Sequence, residues 1–231
     1  MPNIVSREEW NAARIAHLSE EKAFTRARDV LSAKRREMPW VAVSENYSFT
    51  GADGEIKLSD LFAGKSQLII YHFMFGADWE EGCPSCSFWA DNFNSIAPHL
   101  AARDAAFAVV SIAPYDRLAA YKKRMGWQFQ WLSAQGSSFN QDYNVSFSDA
   151  EIEDGSAIYN YKKSTFPGKE APGASVFARD EAGNIYHTYS TYARGIDMLN
   201  GAYHYLDILP KGRDEDVLDY SQAWIKRRDM Y

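Results

Sequence analysis

The 231-residue sequence holds only two cysteines, and both fall in one tetrapeptide, Cys83-Pro84-Ser85-Cys86. That scarcity excludes a disulfide-stapled secreted scaffold, which needs several pairs spread along the chain. It also argues against a zinc centre, which takes four ligands, because only the isolated His17, His72, His99, His187 and His204 remain to complete one. Long apolar runs are missing as well. No stretch of about 18 apolar residues is available to span a bilayer, and the longest run, Leu68 to Phe75, is strand-sized and interrupted by His72. Met1-Pro2-Asn3-Ile4-Val5 lacks the basic and apolar regions of a signal peptide, so a cytoplasmic protein is expected. Positive charge is in deficit: 25 Lys and Arg against 31 Asp and Glu leave a net charge of −6, which disfavours nucleic acid or an anionic membrane as partner. Lys34-Arg35-Arg36 and Lys226-Arg227-Arg228 are too short to reverse that balance. Each is expected near the C-terminal end of a helix, where cations complement the helix dipole. Internal repeats and low-complexity segments are absent.

What is present is enough for a full core: 46% of residues are hydrophobic and 15% aromatic, including seven Trp and fourteen Tyr. Residues 6–37 read as helical, opened by a capping box at Ser6 and Glu9, with Ser19 before Glu20-Glu21 as the start of a second piece and Pro39 as the stop. Strand signals follow at 47–49 and 56–58, joined by the Asp53-Gly54 turn. Leu68–Phe75 and Phe107–Ile112 read as central strands, and 115–125 as a helix ended by Gly126. Trp89, Phe93, Ile96 and Leu100 make one helical stripe that Pro98 should kink. Residues 133–173 read as long, polar and irregular, followed by a hairpin over 175–190, a helix over 196–206 and a terminal helix over 216–228. The chain therefore divides into a helical arm (1–45), a main domain (46–210) with an irregular insertion at 133–173, and a C-terminal helix or tail (211–231). The arm can pack on its own domain or on a second copy, giving a homo-oligomer.

Two thiols separated by two residues, after an apolar strand and at the start of a helix, form a redox pair, because such a dithiol closes into a disulfide with little backbone movement. Cys83 falls at the helix N-terminus, where free N–H groups and the dipole stabilise a thiolate and depress its pKa to roughly 3.5–7.5. Cys86, one turn further in, receives less of that help. Pro84 suits the first helical position because it has no N–H to lose. The bland reading is a pair of small buried residues without redox chemistry.

Asp53-Gly54, Leu58-Ser59-Asp60-Leu61, Gly64-Lys65, the apolar strand, Trp79 and the cysteine pair resemble the thioredoxin superfamily. Within it the chain resembles a bacterial family described as predicted dithiol–disulfide oxidoreductases. That match is carried by residues 78–89, Arg124-Met125-Gly126-Trp127, Phe139-Asn140 with Asp142, Tyr192-Ala193-Arg194-Gly195, and Leu206-Asp207 before Pro210 and Gly212-Arg213. The resemblance implies an α/β thioredoxin-like fold, a central mixed sheet flanked by helices, here with an N-terminal helical extension. It implies Cys83 as attacking and Cys86 as resolving thiol, no cofactor and no metal. Its partners would be a disulfide-containing protein or small molecule and a thiol reductant.

Three departures from the better-known relatives stand out. The position of the buried thioredoxin acid is Met74, leaving Glu80, Glu81 or His72 as candidate bases, although the two glutamates would also raise the thiol pKa. The position of the cis-proline is Ala174, while Pro172 comes two residues early, so a cis bond at Pro172 is a hypothesis for the structure to test. The peroxiredoxin threonine and proline are replaced by Glu80 and Gly76, and the expected arginine is absent between Gly168 and Val176. Trp79, Ser85 and Arg194 complete the neighbours; Arg194 can hold a substrate carboxylate or simply pair with a nearby Asp. A non-catalytic binding or assembly module and a thiol-dependent peroxidase are the alternative functions.

Overall fold

The apolar run at 68–75 supplies the middle strand of an eight-stranded mixed sheet. The structure is a computed structural model that describes residues 3–164 and 168–231. Residues 1–2, and residues 165–167 of the long insertion, lie outside the described residues. The chain divides into two compact units, Met1–Pro39 and Trp40–Tyr231.

The first unit is α1 (Arg7–Arg36), opened by the expected capping box, with Lys34, Arg35 and Arg36 in its last turn. It is one helix, not two. Ser19 is followed by the strong helix formers Glu20, Glu21, Lys22 and Ala23, so continuing the helix is cheaper than breaking it and nucleating another. Among the described residues no helix is long and apolar enough to cross a membrane.

The second unit contains, in chain order, β1 (Val41–Ala42), β2 (Ser48–Gly51), β3 (Gly54–Lys57), β4 (Gln67–His72), α2 (Pro84–Ala90), α3 (Ala97–Ala101), β5 (Ala105–Ser111), α4 (Tyr115–Met125), β6 (Gln130–Ser133), α5 (Phe139–Asp142), α6 (Asp149–Glu153), β7 (Ile158–Tyr159), β8 (Lys162–Lys163), β9 (Gly173–Arg179), β10 (Ile185–Tyr192) and α7 (Gly201–Leu206). The sheet order is β1-β10-β9-β4-β5-β6-β2-β3, and β7 and β8 form a separate pair. β4, β5 and β6 run parallel, and β9 pairs antiparallel with β4 from Gln67↔Ala178 to His72↔Gly173. That register brings the chain just before β9 beside the end of β4.

Both sheet faces are covered, as the near-continuous apolar character of β4 requires. Tyr71, Phe73 and Phe75 pack with Cys86, Trp89 and Phe93 on one side, while Leu68 and Ile70 pack with Phe49, Phe62, Phe139 and Phe177 on the other. Fully burying each of these large side chains contributes roughly 1.5–3 kcal/mol.

Four expectations about local structure need correction. The aromatic stripe does not lie on one kinked helix: the chain leaves helical geometry between Ala90 and Ala97. Asn92 turns its amide back on the carbonyls of Phe88 and Trp89 (3.0 and 3.2 Å), Asn94 bonds Gly126 and Gln128, and Pro98 falls in the first turn of α3, where its missing N–H does no harm. The expected helix over 196–206 is a 3-10 segment, Ala193–Leu199, followed by α7, because the Asn200 side chain accepts from Ala202 and Tyr203 N–H and starts a new helix there. The insertion at 133–173 contains α5, α6 and the β7–β8 pair. The terminal helix over 216–228 does not form; the tail is a series of turns ending in a short 3-10 piece, Arg228–Met230. Its polar side chains are spent on tertiary bonds instead: Glu215 accepts from Tyr203 and from Trp224, and Arg213 forks onto Asp207 and bonds Asp197.

Candidate active site

The cysteine pair sits where the chain turns from β4 into α2. Beyond His72 the backbone stays extended beside β5, with Phe73 N–H bonded to Val110 and Ala113 N–H to Phe75. It then loops through 76–82. The Trp79 indole lies on Gly76, where a Cβ would come within 2.8 Å of Nε1. Gly82 is equally confined, because a Cβ there would meet the Phe73 ring at 2.7 Å. Two arginines clamp this loop. Arg117 donates to the carbonyls of Ala77 and Trp79 (2.9 and 2.7 Å), and Arg227, from the tail, donates to Gly82 O (2.9 Å) and Tyr121 Oη (3.1 Å). Tyr121 pairs in turn with Ser87, whose hydroxyl donates to Cys83 O.

Cys83 is the N-cap of α2 and Pro84 its first helical residue. The backbone of Met74 brackets the pair: its carbonyl accepts from Cys83 N–H (3.1 Å) and its N–H donates to Cys86 Sγ (3.4 Å). The two cysteines lie 4.2 Å apart, Cys83 half-buried and Cys86 buried. The Cys83 thiol is pushed down to about 6, first by the hydrogen bond from Cys86 and then, against the effect of burial, by the N–H groups of Cys86 and Ser85 and the Ser85 side chain. Cys86 goes the other way. Burial raises it well above the ordinary thiol range and Cys83 adds to that, while the Met74 N–H and the Tyr71 hydroxyl oppose it.

The pair lines a cavity of about 370 Å³, within the size range of small-molecule sites. Met74, Trp89, Pro172 and Ile196 give it apolar lining, the buried Tyr71 and Tyr159 line it too, and Arg194, Asp197 and Tyr220–Gln222 complete it. Of the residues singled out from sequence, Cys83, Ser85, Cys86, Pro172 and Arg194 are thus brought together. Ala174 is buried directly beside Tyr71 in the β4–β9 register and does not line the cavity. The peptide bond at Pro172 is trans, correcting the cis hypothesis: among the described residues there are no cis bonds.

Neither glutamate lines the cavity that holds the thiols. Glu80 is exposed, and Glu81 is held by Arg124 and by Arg227 at 2.8 Å, which neutralises the charge expected to raise the thiol pKa. His72 faces the opposite side of the sheet, where its Nε2 pairs with Ser175 Oγ at 2.8 Å and its ring lies over Phe139 and Tyr143. Burial drives its pKa down to about 3. Arg194 is mostly exposed and pairs with Asp197 at 3.3 Å. Sequence reasoning did not find Tyr71, Tyr121, Tyr159 or Arg227. Tyr71 carried one signal, since strand alternation groups it with Phe73 and Phe75; Arg227 carried none, because its role depends on where an irregular tail runs.

The parallel β4–α2–β5 unit, the antiparallel β9–β10 hairpin beside β4, and cysteines at the β4–α2 turn define a thioredoxin-like protein. Similar solved structures include a cysteine-to-serine variant of Xanthomonas campestris peroxiredoxin Q, at 12% identity and TM-score 0.50, covering 74% of this chain and 97% of that one. They also include Mycobacterium tuberculosis peroxidoxin BcpB, at 16% identity, TM-score 0.46, 70% and 93% coverage. At such identity the first of these shows the shared fold alone. No curated protein matches the sequence. Residues 1–231 match the model of a bacterial protein family of unknown function, DUF899, and the chain belongs to that family.

Proposed function

We infer that the protein is a thiol–disulfide oxidoreductase in which Cys83 attacks and Cys86 resolves. The observation that carries this reading is the placement of two thiols 4.2 Å apart at the start of α2 and on the wall of one cavity, and it is supported by their opposite displacement, Cys83 down to about 6 and Cys86 well up. Near neutral pH the first is a thiolate and the second keeps its proton. In the exchange, the Cys83 sulfur attacks one sulfur of a substrate disulfide, forms a mixed disulfide and releases the other sulfur as thiolate. Cys86 then attacks Cys83, the mixed disulfide breaks, and the substrate's second sulfur leaves with a proton. An external thiol reductant restores the dithiol.

A reducing compartment such as the cytoplasm fits a pair that rests as thiols. The position of Cys83 in the wall of a cavity of about 370 Å³ favours a low-molecular-weight disulfide over a folded protein. The chemistry calls for no cofactor.

The test uses the full chain and the disulfide dithiobis-nitrobenzoate. Wild-type protein should release one equivalent of thionitrobenzoate on attack and a second on resolution. Cys86→Ser should stop after the first and retain the mixed disulfide, and Cys83→Ser should react far more slowly because only a buried, protonated thiol remains. Wild-type protein inert to this probe overturns the reading and favours a binding module; inertness to disulfides with rapid thiol-coupled consumption of hydrogen peroxide favours a peroxidase.

A further inference from the structure

Tyr71 is the exception among the buried tyrosines around the cysteines. Tyr121 pairs with Ser87 and Arg227, Tyr159 donates to Pro172 O and accepts from Ala193 N–H, Tyr192 donates to Tyr143 O, and Tyr203 bonds Glu215. Tyr71 is 1% exposed, lines the same cavity as Cys83 and Cys86, and its hydroxyl has no hydrogen-bonding protein partner. Proteins normally avoid that arrangement. Nor is the ring free to turn elsewhere: it stands edge-on to Phe93 with centroids 4.9 Å apart, and Ala174 lies opposite it in the sheet.

We propose that the Tyr71 hydroxyl and the Met74 backbone N–H form a two-donor cradle for the Cys86 sulfur, stabilising the thiolate character that Cys86 develops when it resolves the mixed disulfide. The proposal rests on the exchange reading above and supplies what the missing buried acid leaves open. A neutral thiol is a weak acceptor, so in the resting dithiol Cys86 donates toward Cys83 and accepts only the 3.4 Å contact from Met74 N–H, while the Tyr71 hydroxyl stands near enough to act on the sulfur without a formed hydrogen bond. As the Cys86 proton departs, charge builds on a sulfur buried among apolar side chains, and a preplaced hydroxyl becomes a charge-assisted donor. The interaction is therefore stronger in the transition state than in the ground state, the condition for accelerating a step. Burial, with Cys86 next in effect, holds the phenol well above its ordinary pKa, so it remains a donor throughout.

Tyr71 takes no proton in this scheme. The Cys86–H bond breaks, the Cys86–Cys83 bond forms, the bond from Cys83 to the substrate sulfur breaks, and the proton ends on the departing thiol. In the reverse direction the same cradle stabilises Cys86 as leaving group. Besides Tyr71, the titratable or charged groups around the cavity are Cys83, Tyr159, Arg194, Asp197 and Tyr220, and Tyr159 already has both bonds of its hydroxyl occupied.

Tyr71→Phe tests this, because it deletes one oxygen and keeps the ring. In single-turnover reaction with dithiobis-nitrobenzoate, the first release should change less than about twofold, while the second should slow by about tenfold to about a hundredfold, the range for a hydrogen bond to a charged group. The pH midpoint of the second release should move up and that of the first should stay. Thermal stability should hold or rise, since the lost hydroxyl had no protein partner. Fluorotyrosine at position 71, a stronger donor of nearly the same shape, should speed the second release. A second release unchanged in both variants overturns the cradle, as does an equal slowing of both releases, which would mark a structural role. Wild-type protein that releases no thionitrobenzoate overturns the exchange reading as well, so the two failures are distinguishable.

Discussion

Replacing Arg227 by Met should loosen the cysteine loop from behind, and the size of the effect can be worked from its partners. The guanidinium donates twice to Gly82 O (2.9 and 3.3 Å) and once to Tyr121 Oη (3.1 Å), and it pairs with Glu81 at 2.8 Å. Met keeps the apolar stem and removes every donor. An orphaned carbonyl in a buried loop costs about 1–3 kcal/mol. Tyr121 retains Ser87, so its loss adds about 0.5 kcal/mol. Glu81 is 38% exposed and retains Arg124, so solvent screening limits that pair to about 0–1 kcal/mol. The sum is about 1.5–4.5 kcal/mol, read as a lower urea midpoint for the reduced protein, or a fall of about 2–4 °C in Tm for each kcal/mol. Arg227→Lys should lose slightly less, because a point charge still attracts Glu81 but has no planar fork for Gly82 and Tyr121. The pH midpoint for Cys83 alkylation should move little in either variant, because that thiol is held down by Cys86, Ser85 and local N–H groups. A loss below about 0.5 kcal/mol in Arg227→Met would refute the view that the tail anchors the loop. An alkylation midpoint returning to about 8.5 would show instead that the tail acts on the thiolate by its charge.

Two pH-dependent outcomes follow from other groups. Iodoacetamide labelling of Cys83 should rise with a midpoint near 6; since folding lowers this pKa, the thiolate's contribution to stability is complete above the unfolded thiol's range and is lost as pH falls through about 6, a trend that Cys83→Ser should flatten. Glu170 is buried with Ser146 Oγ at 2.8 Å, and burial raises its pKa to about 7, so its protonated form favours the fold below the unfolded carboxyl value and that contribution disappears as pH rises through about 7. Glu170→Gln should therefore leave Tm nearly unchanged at pH 5 and raise stability by up to about 3 kcal/mol at pH 8; equal shifts at both pH values would contradict a neutral carboxyl.

Much of the sheet was legible because its signals are local. The β4 and β5 runs, the helix closed by Gly126 in left-handed geometry (φ 65°), and the β9–β10 hairpin around Gly183 (φ 90°) each announce themselves within about ten residues. The Ser6–Glu9 box is equally self-contained. Where the reading failed, remote partners overrode local pattern. The stripe from Trp89 to Leu100 has helical spacing, yet Asn92 and Asn94 use their side chains on backbone groups and break it. Residues 216–228 carry enough helix formers to suggest a helix, yet Glu215, Trp224 and Arg227 are committed to Tyr203, Glu215 and Gly82.

By itself the sequence determined that a dithiol stands at a strand-to-helix turn, with Cys83 at the helix start and Cys86 one turn inside, because spacing and helix geometry require only the residues between them. The tertiary structure alone decided what surrounds that pair. It placed Tyr71 with an unpaired hydroxyl beside Cys86, turned Glu81 toward Arg124 and Arg227, set His72 on the far face of the sheet, and brought Tyr220–Gln222 to the cavity wall. Burial, charge pairing and hydrogen-bond satisfaction are properties of groups far apart in the chain, and they set the acidity and reach of both thiols only once the sheet has closed around them.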